Sequence, residues 1–240
     1  MTDEPLSPSG APWRNFYGRR HGKKLRPRQQ ELMENALAAL APPNVTWDDN
    51  PDRTPLELPE LFGDTRPVWL EIGFGAGEHM CAQAAQNPNV GIIGCEPYIN
   101  GVAALLSKID RENLQNVRVH AGDARDLLDV LPAQSLDRAF LLYPDPWPKT
   151  RHHRRRFANP ENLEPLASAM RPGAKLFVAT DIEDYVRHTL EVIDKLPAFR
   201  WLAQRPSDWR EPWEGWHRTR YEAKAVREGR TPHYLAFERV

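Results

Sequence analysis

The sequence predicts an α/β protein of the Rossmann-like, doubly wound class, with a mostly parallel seven-stranded sheet and helices on both faces. Short apolar runs alternate along the chain with segments that repeat apolar residues at helical spacing. A Gly-rich turn follows the first of these runs, at residues 73–77. Acidic residues also stand at or just after the ends of four successive predicted strands, at the edge where open α/β sheets bind their ligands.

Residues 1–65 are predicted to form an N-terminal region that precedes a sheet domain at 66–240. The first 26 residues are rich in Pro, Gly and Arg without any periodicity, which predicts a flexible arm. Pro27 is suited to open a helix, and apolar residues at helical spacing continue it to about residue 40. Five prolines between residues 42 and 59 predict a loop-like connector.

In the sheet domain, strands and helices alternate. Strands are predicted at 68–72, 90–96, 117–121, 139–142, 175–179, 199–203 and 234–237. Helices are predicted around 77–87, 102–109, 163–170 and 186–193. A long loop that carries Trp and Arg residues is predicted between the last two strands.

The composition is that of an ordinary globular protein, with 40% hydrophobic and 27% charged residues among 240. No apolar run has the length of a membrane span, and the first residues lack the features of a signal peptide. Cys81 and Cys95 are isolated, and the eight histidines show no metal-binding spacing. We therefore expect a cytoplasmic protein with no membrane contact and no metal.

The charge is distributed unevenly, although its net value is only −1. Six of the ten residues in Arg19–Arg28 and five of the eight in Lys149–Arg156 are Arg or Lys. Such local runs attract polyanions. The first run is equally compatible with a solvated disordered arm and with an arm that binds nucleic acid.

The strand-end acids predict an S-adenosylmethionine site. Glu96 is suited to accept both ribose hydroxyls, Asp123 to lie near the adenine amino group, and Glu71 to lie near the methionine ammonium. Asp145 follows the fourth strand. An alternative is that such acids only cap helices, which applies especially to Asp123.

The glycines Gly73, Gly75 and Gly77 would let the backbone pass close to this cofactor. A nicotinamide dinucleotide is disfavoured because Glu78 stands where its fingerprint needs Gly or Ala. The absence of a phosphate-binding loop of the Walker type agrees with a cofactor that has no phosphate.

The loop after the fourth strand combines rigidity with charge. Three prolines at alternate positions, from Pro144 to Pro148, fix φ and remove backbone donors, so Asp145, Trp147 and Lys149 are presented from a stiffened segment. A solvated surface loop is the alternative interpretation of the basic run that follows.

The run Asp145-Pro-Trp-Pro-Lys-Thr-Arg-His-His-Arg-Arg-Arg156, together with Glu71-Ile-Gly-Phe-Gly-Ala-Gly77, resembles the bacterial tRNA (guanine-N7-)-methyltransferase family. Thr180-Asp181 and Thr219-Arg-Tyr-Glu222 match two further motifs of that family. The resemblance extends from about residue 66 to the C-terminus. It implies a class I methyltransferase that methylates guanine 46 in the variable loop of tRNA.

The resemblance also implies roles for individual residues. Glu71, Glu96, Asp123 and Asp145 would contact the cofactor, and Asp145 would also be catalytic. The substrate site would comprise Lys149, Asp181, Thr219, Arg220, Tyr221 and Glu222. The RNA-contacting run would comprise Arg151, His152, His153, Arg154, Arg155 and Arg156.

Several alternatives remain at this point. The Asp-Pro-Trp-Pro loop is related to the Asp/Asn-Pro-Pro-aromatic motif of methyltransferases that act on exocyclic amines. A non-catalytic RNA-binding subunit on the same scaffold is a second alternative. Trp209, Trp213 and Trp216 are expected to pack in the core rather than to stack on RNA bases. The sequence leaves open whether the protein is a monomer or a homodimer.

Overall fold

A computed structural model describes residues 11–12 and 14–240, so the first part of the predicted arm lies outside the described residues. A single seven-stranded sheet forms the centre of the described chain. Its strands are β1 (Val68–Ile72), β2 (Gly91–Cys95), β3 (Val117–His120), β4 (Leu136–Leu142), β5 (Met170–Thr180), β6 (Phe199–Trp201) and β7 (His233–Arg239).

The strand order is β3-β2-β1-β4-β5-β7-β6, and the pairs from β3 to β5 are all parallel. Only β7 runs antiparallel to its two neighbours. The strand order reverses between β1 and β4, and ligands of doubly wound sheets bind outside the carboxyl ends of the strands at such a point. The predicted fold class, a mostly parallel seven-stranded Rossmann-like sheet, is therefore confirmed.

Ten α-helices are assigned within the described part of the chain. They are α1 (Pro27–Asn35), α2 (Leu37–Leu40), α3 (Leu58–Phe62), α4 (Glu78–Gln86), α5 (Ile99–Glu112), α6 (Ala124–Leu128), α7 (Pro160–Ala169), α8 (Glu183–Ile193), α9 (Ser207–Arg210) and α10 (Arg220–Arg227). A 3-10 helix covers Thr150–Arg155.

The sheet separates two apolar layers, because successive side chains of a strand lie on opposite faces. Leu70 of β1 belongs to the layer that contains α3, α6, α7 and α8. Trp69, its neighbour, belongs to the layer that contains α1, α4 and α5. Cys81 and Cys95 are buried, one in each layer, as free thiols. The predicted placement of helices on both faces is confirmed.

Two sequence predictions about loops were wrong. The segment between β6 and β7 contains α9 and α10, and the Pro-rich connector contains α3. Three tryptophans of the segment between β6 and β7 pack in the core, as expected. Trp213 and Trp216 pack against the layer that contains Trp69, and Trp209 packs against the layer that contains Leu70. No helix in the described part of the chain is long and apolar enough to span a membrane.

The described part of the predicted flexible arm packs against the sheet domain. The Arg14 guanidinium donates to both carboxylate oxygens of Asp129, at 2.7 and 2.8 Å. The backbone N–H of Gly22 donates to Asn100 Oδ1 at 2.7 Å, and Ile99 N–H donates to the carbonyl of Arg20 at 2.9 Å. These contacts attach Arg14 to the end of α6, and Arg20 and Gly22 to the N-terminus of α5.

Candidate cofactor and substrate site

A cavity of about 650 Å³ opens at the carboxyl ends of β1, β2 and β4, where the strand order reverses. Its wall includes many of the residues that the sequence singled out, namely Gly73, Gly75, Glu96, Asp123, Asp145, Arg154, Arg155, Arg220 and Tyr221. Its volume lies in the range of small-molecule sites, about 300–1,000 Å³. The main prediction of the sequence, a site at this edge of the sheet, therefore coincides with a real cavity.

The Gly-rich turn leaves space for a ligand. Gly73 has a φ of 70°, and a Cβ built on it would have no atom within 4 Å, so the backbone borders open volume. On the other side of the turn, a Cβ at Gly101 of α5 would lie 2.2 Å from the carbonyl oxygen of Gly75. The turn is thus pressed against α5 on one side and open on the other, as a cradle for a ligand requires.

Glu96 follows β2, and its carboxylate is fixed by backbone donors. Gly75 N–H donates to Oε2 at 2.8 Å, and Tyr98 N–H donates to Oε1 at 2.9 Å. Burial raises the pKa of Glu96, the two backbone hydrogen bonds oppose this, and the nearby Asp145 adds to it. Each oxygen keeps a lone pair for a hydroxyl donor, so the carboxylate fits a ribose.

Asp123 has a double role. It caps α6 by accepting the Arg125 N–H at 2.9 Å, and it forms an ion pair with the Arg125 guanidinium at 2.6 Å. Burial raises the pKa of Asp123, but the hydrogen bonds from Arg125 outweigh it, so that the pKa lies below its usual value. The helix-cap interpretation is therefore correct, and the same side chain also lines the cavity.

Glu71 is placed differently from the other strand-end acids. Its side chain does not line the cavity; it is buried on the opposite side of β1, where Oε2 lies 2.7 Å from His79 Nδ1. His79 was not singled out by the sequence as a partner. The signal for this pair in the sequence is the position of His79, which lies in the first turn of the helix that follows the glycines and so comes back close to the acid at the end of the strand.

The loop that carries Asp145 has unusual backbone geometry. Tyr143 and Trp147, on either side of Asp145, have φ values of 50° and 42°, which non-Gly residues seldom adopt. Asp145 is exposed at the mouth of the cavity and accepts no hydrogen bond from another described residue. Its carboxylate is therefore free to contact a ligand.

The N-terminal arm contributes to the cavity as well, which the sequence did not predict. Residues 15–19 line it. The Tyr17 ring meets the Trp147 ring edge to face at 6.1 Å, and the Arg155 guanidinium lies 4.1 Å from the Tyr17 ring centroid and 5.0 Å from that of Trp147. Tyr17, Trp147 and Arg155 together form a clasp that joins the arm to the Asp145 loop.

The predicted substrate residues Thr219 to Glu222 do not form one contiguous surface. Tyr221 lines the cavity and stacks with Tyr143 at 6.4 Å. Arg220, also at the cavity, forms an ion pair with Glu78 of α4. Thr219 is buried and caps α10 by accepting the Glu222 N–H at 3.2 Å.

The Glu222 carboxylate is occupied by internal partners. It is 8% exposed and accepts the Trp216 Nε1–H at 2.7 Å and the Tyr234 hydroxyl at 2.9 Å. Glu222 is therefore not a free acceptor for a substrate, as a member of the predicted substrate site would be. The role that these hydrogen bonds support is to fix α10, and with it Tyr221, against the sheet.

The remaining predicted substrate residues lie outside the cavity wall. Lys149 is exposed at the end of the Pro-rich loop. Asp181 follows β5 and forms an ion pair with Arg230, which no sequence motif singled out.

The predicted RNA-contacting run divides into exposed and buried members. Arg151 and Arg154 are exposed, whereas His152, His153 and Arg155 are partly buried. The prediction for Arg156 was wrong, because its side chain is 0% exposed and forms hydrogen bonds inside the protein. Within residues 11–12 and 14–240, no cluster of three or more His, Cys, Asp or Glu side chains could hold a metal ion.

Comparison with known proteins identifies relatives of this chain. A family model described as "Putative methyltransferase" matches residues 65–235. A tRNA (guanine-N(7)-)-methyltransferase of Roseobacter denitrificans is 64% identical over 98% of this chain and 100% of its own length. A protein of the same name from Brucella anthropi is 48% identical over the whole of both chains.

Solved structures show the same fold at low sequence identity. The 16S rRNA methyltransferase KamB superimposes with a TM-score of 0.56 at 17% identity, covering 77% of this chain and 93% of its own. An antibiotic-related methyltransferase gives a TM-score of 0.53 at 19% identity, covering 77% and 93%.

Proposed function

Because the chain belongs to the tRNA (guanine-N7-)-methyltransferase family, we propose that it transfers a methyl group from S-adenosylmethionine to N7 of guanine in tRNA, at position 46 of the variable loop. The observation that carries the proposal is the free Asp145 carboxylate at the mouth of a cavity walled by the Gly-rich turn and Glu96. The substrate class would place the reaction in the cytoplasm.

The cavity residues fit the cofactor by their chemistry. Glu96 and Asp123 line the cavity, where the Glu96 carboxylate would accept the hydroxyl groups of the ribose and Asp123 would hold the adenine. The open volume at Gly73 would admit the chain that carries the sulfonium. When bound, S-adenosylmethionine supplies an electrophilic methyl group. Glu71 was predicted from the sequence to contact the methionine ammonium, and that contact requires its carboxylate to leave His79.

The acceptor atom determines what the enzyme must do. Guanine N7 has a free lone pair, so no proton has to be removed before it attacks. The protein's task is to place N7 in line with the methyl group and to stabilise the positive charge that develops on the base. Asp145 lies beside the cavity and has no hydrogen-bond partner among the described residues, so it is suited to orient the base and to stabilise this charge. Tyr221 supplies an aromatic surface 46% exposed, on which a base can stack.

Lys149 and Asp181 are proposed to contact the guanine from outside the cavity wall. Lys149 is suited to donate to O6 or to a phosphate. Asp181 is suited to accept the N1–H, which requires it to exchange its ion pair with Arg230 for the base. The exposed cations Arg151 and Arg154 are proposed to neutralise tRNA phosphates.

A single assay tests the reaction and the site. Unmodified tRNA transcript is incubated with the protein and labelled cofactor, and the modified nucleotide is identified by nucleoside mass spectrometry and mapped by cleavage at N7-methylguanosine. We expect N7-methylguanosine at position 46. N6-methyladenosine or another exocyclic product would favour the alternative reaction class, and no turnover would favour a non-catalytic RNA-binding subunit.

The role of Asp145 is tested in the same assay. Asp145→Ala should lower kcat about 100-fold, as loss of a preorganised electrostatic group does, while tRNA affinity stays unchanged. Asp145→Glu, which keeps the charge and moves it, is the matched control for charge. Near-normal turnover by Asp145→Ala would disprove the catalytic assignment.

A further inference from the structure

We propose that Arg156 is the positioning residue that holds the Asp145 loop in place, and not a contact to RNA. The inference rests on the proposed function of the cavity and deepens it. Arg156 is the last cation of the Lys149–Arg156 run, yet it is completely buried.

The guanidinium of Arg156 makes hydrogen bonds in two directions. Nε donates to the carbonyl oxygen of Pro146 at 2.9 Å. Nη1 donates to the carbonyl of Asp184 at 3.3 Å, and Nη2 donates to the Asp184 carboxylate. The guanidinium carbon also lies 5.2 Å from the ring centroid of Tyr185, which is itself fully buried. A planar group with donors on both edges can make these contacts together, whereas an ammonium group cannot.

Pro146 follows Asp145 directly, so this bond acts on the catalytic loop. Residues 144, 146 and 148 are prolines and have no N–H with which to anchor the loop. Among the described residues, the bond from Arg156 is the one hydrogen bond made to the backbone between residues 144 and 148. The positive φ values of Tyr143 and Trp147 are unfavourable unless the surroundings fix them.

The other end of Arg156 is attached to a rigid element. Asp184 lies in the first turn of α8, and hydrogen bonding from Arg156 lowers the pKa of Asp184. Asp184 is also 3.4 Å from His153 Nε2 and 4.0 Å from Arg187 Nη1, so its carboxylate has a cationic or polar partner even without Arg156. Arg156 therefore connects the loop after β4 to the helix after β5.

Arg151 provides the matched comparison within the same run. Its side chain is exposed and lies outside the cavity wall. Loss of a phosphate contact and loss of a positioning hydrogen bond change different measured quantities. Loss of a phosphate contact weakens tRNA binding and reduces the salt slope by about 1, whereas displacement of Asp145 lowers kcat.

The test compares Arg156→Lys with Arg151→Ala. For Arg156→Lys we expect kcat at saturating tRNA to fall about tenfold to 100-fold, as a misplacement of about 1 Å does. The tRNA Kd and its salt slope should match those of the unaltered protein. For Arg151→Ala we expect weaker tRNA binding and the smaller slope. Weaker tRNA binding with unchanged kcat in Arg156→Lys, or normal behaviour in every measurement, would overturn the proposal.

Asp184→Asn keeps the test decisive if Arg156→Lys does not fold, which thermal unfolding reports. This variant weakens the outer anchor of Arg156 at a half-exposed position. Lowered kcat with unchanged tRNA affinity supports the positioning role, and unchanged kcat refutes it.

Binding of S-adenosylhomocysteine, measured by calorimetry, gives a readout that does not depend on the reaction. Tyr143 and Asp145 line the cavity, so a displaced loop should raise the Kd of this ligand severalfold in Arg156→Lys. If the protein binds S-adenosylhomocysteine but methylates another atom, the proposed function is refuted, yet the effect of Arg156→Lys on the Kd can still be measured. An unchanged Kd together with an unchanged kcat would refute the role of Arg156.

Discussion

His79 Nδ1 lies 2.7 Å from Glu71 Oε2, and the two side chains are only 1% and 3% exposed. The opposite ring nitrogen, Nε2, is buried without a hydrogen-bond partner among the described residues. The ring packs against Phe140 and Trp216, at centroid distances of 4.8 and 5.4 Å. This environment favours the tautomer that carries its proton on Nδ1 and donates it to Glu71. The pair therefore connects the end of β1 to the first turn of α4 beneath the Gly-rich turn.

Removing His79 should destabilise the protein. His79→Leu leaves the Glu71 carboxylate buried without its partner, so the free energy of unfolding should fall by about 3 kcal/mol, measured by urea denaturation. The double variant Glu71→Leu, His79→Leu is the control, because an apolar pair has no unpaired buried carboxylate. We expect it to recover most of the loss. Equal stability of the single variant and the unaltered protein would mean that the pair is not important for folding.

Glu222 should contribute to stability more than its place in a substrate motif suggests. Glu222→Ala removes the acceptor of two donors, Trp216 Nε1–H and the Tyr234 hydroxyl, and should lower the free energy of unfolding by about 2–3 kcal/mol. Glu228→Ala, at the exposed end of α10, should change it by less than about 1 kcal/mol. A Glu222 variant of normal stability and impaired tRNA methylation would instead favour the role in the substrate site that the resemblance implies.

Cofactor affinity should depend on the ionisation of Glu96. Burial raises the pKa of this carboxyl in the free protein. Ribose hydroxyls donate to the charged form, so binding lowers the pKa again and releases a proton. Affinity for S-adenosylhomocysteine should then be constant well above the raised pKa and decrease as the pH falls through it, by at most about tenfold per pH unit. Calorimetric titrations across this interval measure the effect.

The Glu96→Gln variant is the control for that profile. Its amide does not ionise, so its affinity should be low and nearly independent of pH in the same interval. A profile that keeps its shape in Glu96→Gln would show that the pH dependence does not come from Glu96.

The clasp of Tyr17, Trp147 and Arg155 should slow the release of the cofactor. Tyr17→Ala removes an aromatic contact and a cation–π contact, worth together about 1–2 kcal/mol, which corresponds to roughly fivefold to thirtyfold faster dissociation. Stopped-flow displacement of bound S-adenosylhomocysteine measures this rate. Tyr17→Phe keeps the ring and should behave as the unaltered protein does. Identical rates in all three proteins would show that the arm does not retain the ligand.

The sheet was predictable because each central parallel strand is buried on both faces and appears in the sequence as an apolar run, as in Val68–Ile72. The helix α10 was missed because it buries only two residues, Glu222 and Ala225, and so has no apolar periodicity. The helix α6 was missed because its five residues are too few to show an apolar periodicity.

The site was predictable where the chemistry follows the order of strands, as for Glu96, Asp123 and Asp145. It was not predictable where distant segments meet. Nothing near Tyr17 in the sequence indicates its contact with Trp147. The burial of Arg156 depends on how the 3-10 helix turns beside α8. The neighbouring residues of the cationic run give no sign of this burial.

The two native cysteines have a practical consequence. Cys81 and Cys95 are 3% and 1% exposed, and burial raises the pKa of both thiols, that of Cys81 to about 12. A thiol reacts as its thiolate, so neither should react with maleimide or iodoacetamide reagents while the protein is folded. A single cysteine placed on the arm, as in Lys24→Cys, would then take up a fluorescent dye alone. The native cysteines therefore do not interfere with site-specific labelling. Movement of the arm away from the sheet domain can be followed without replacing either thiol.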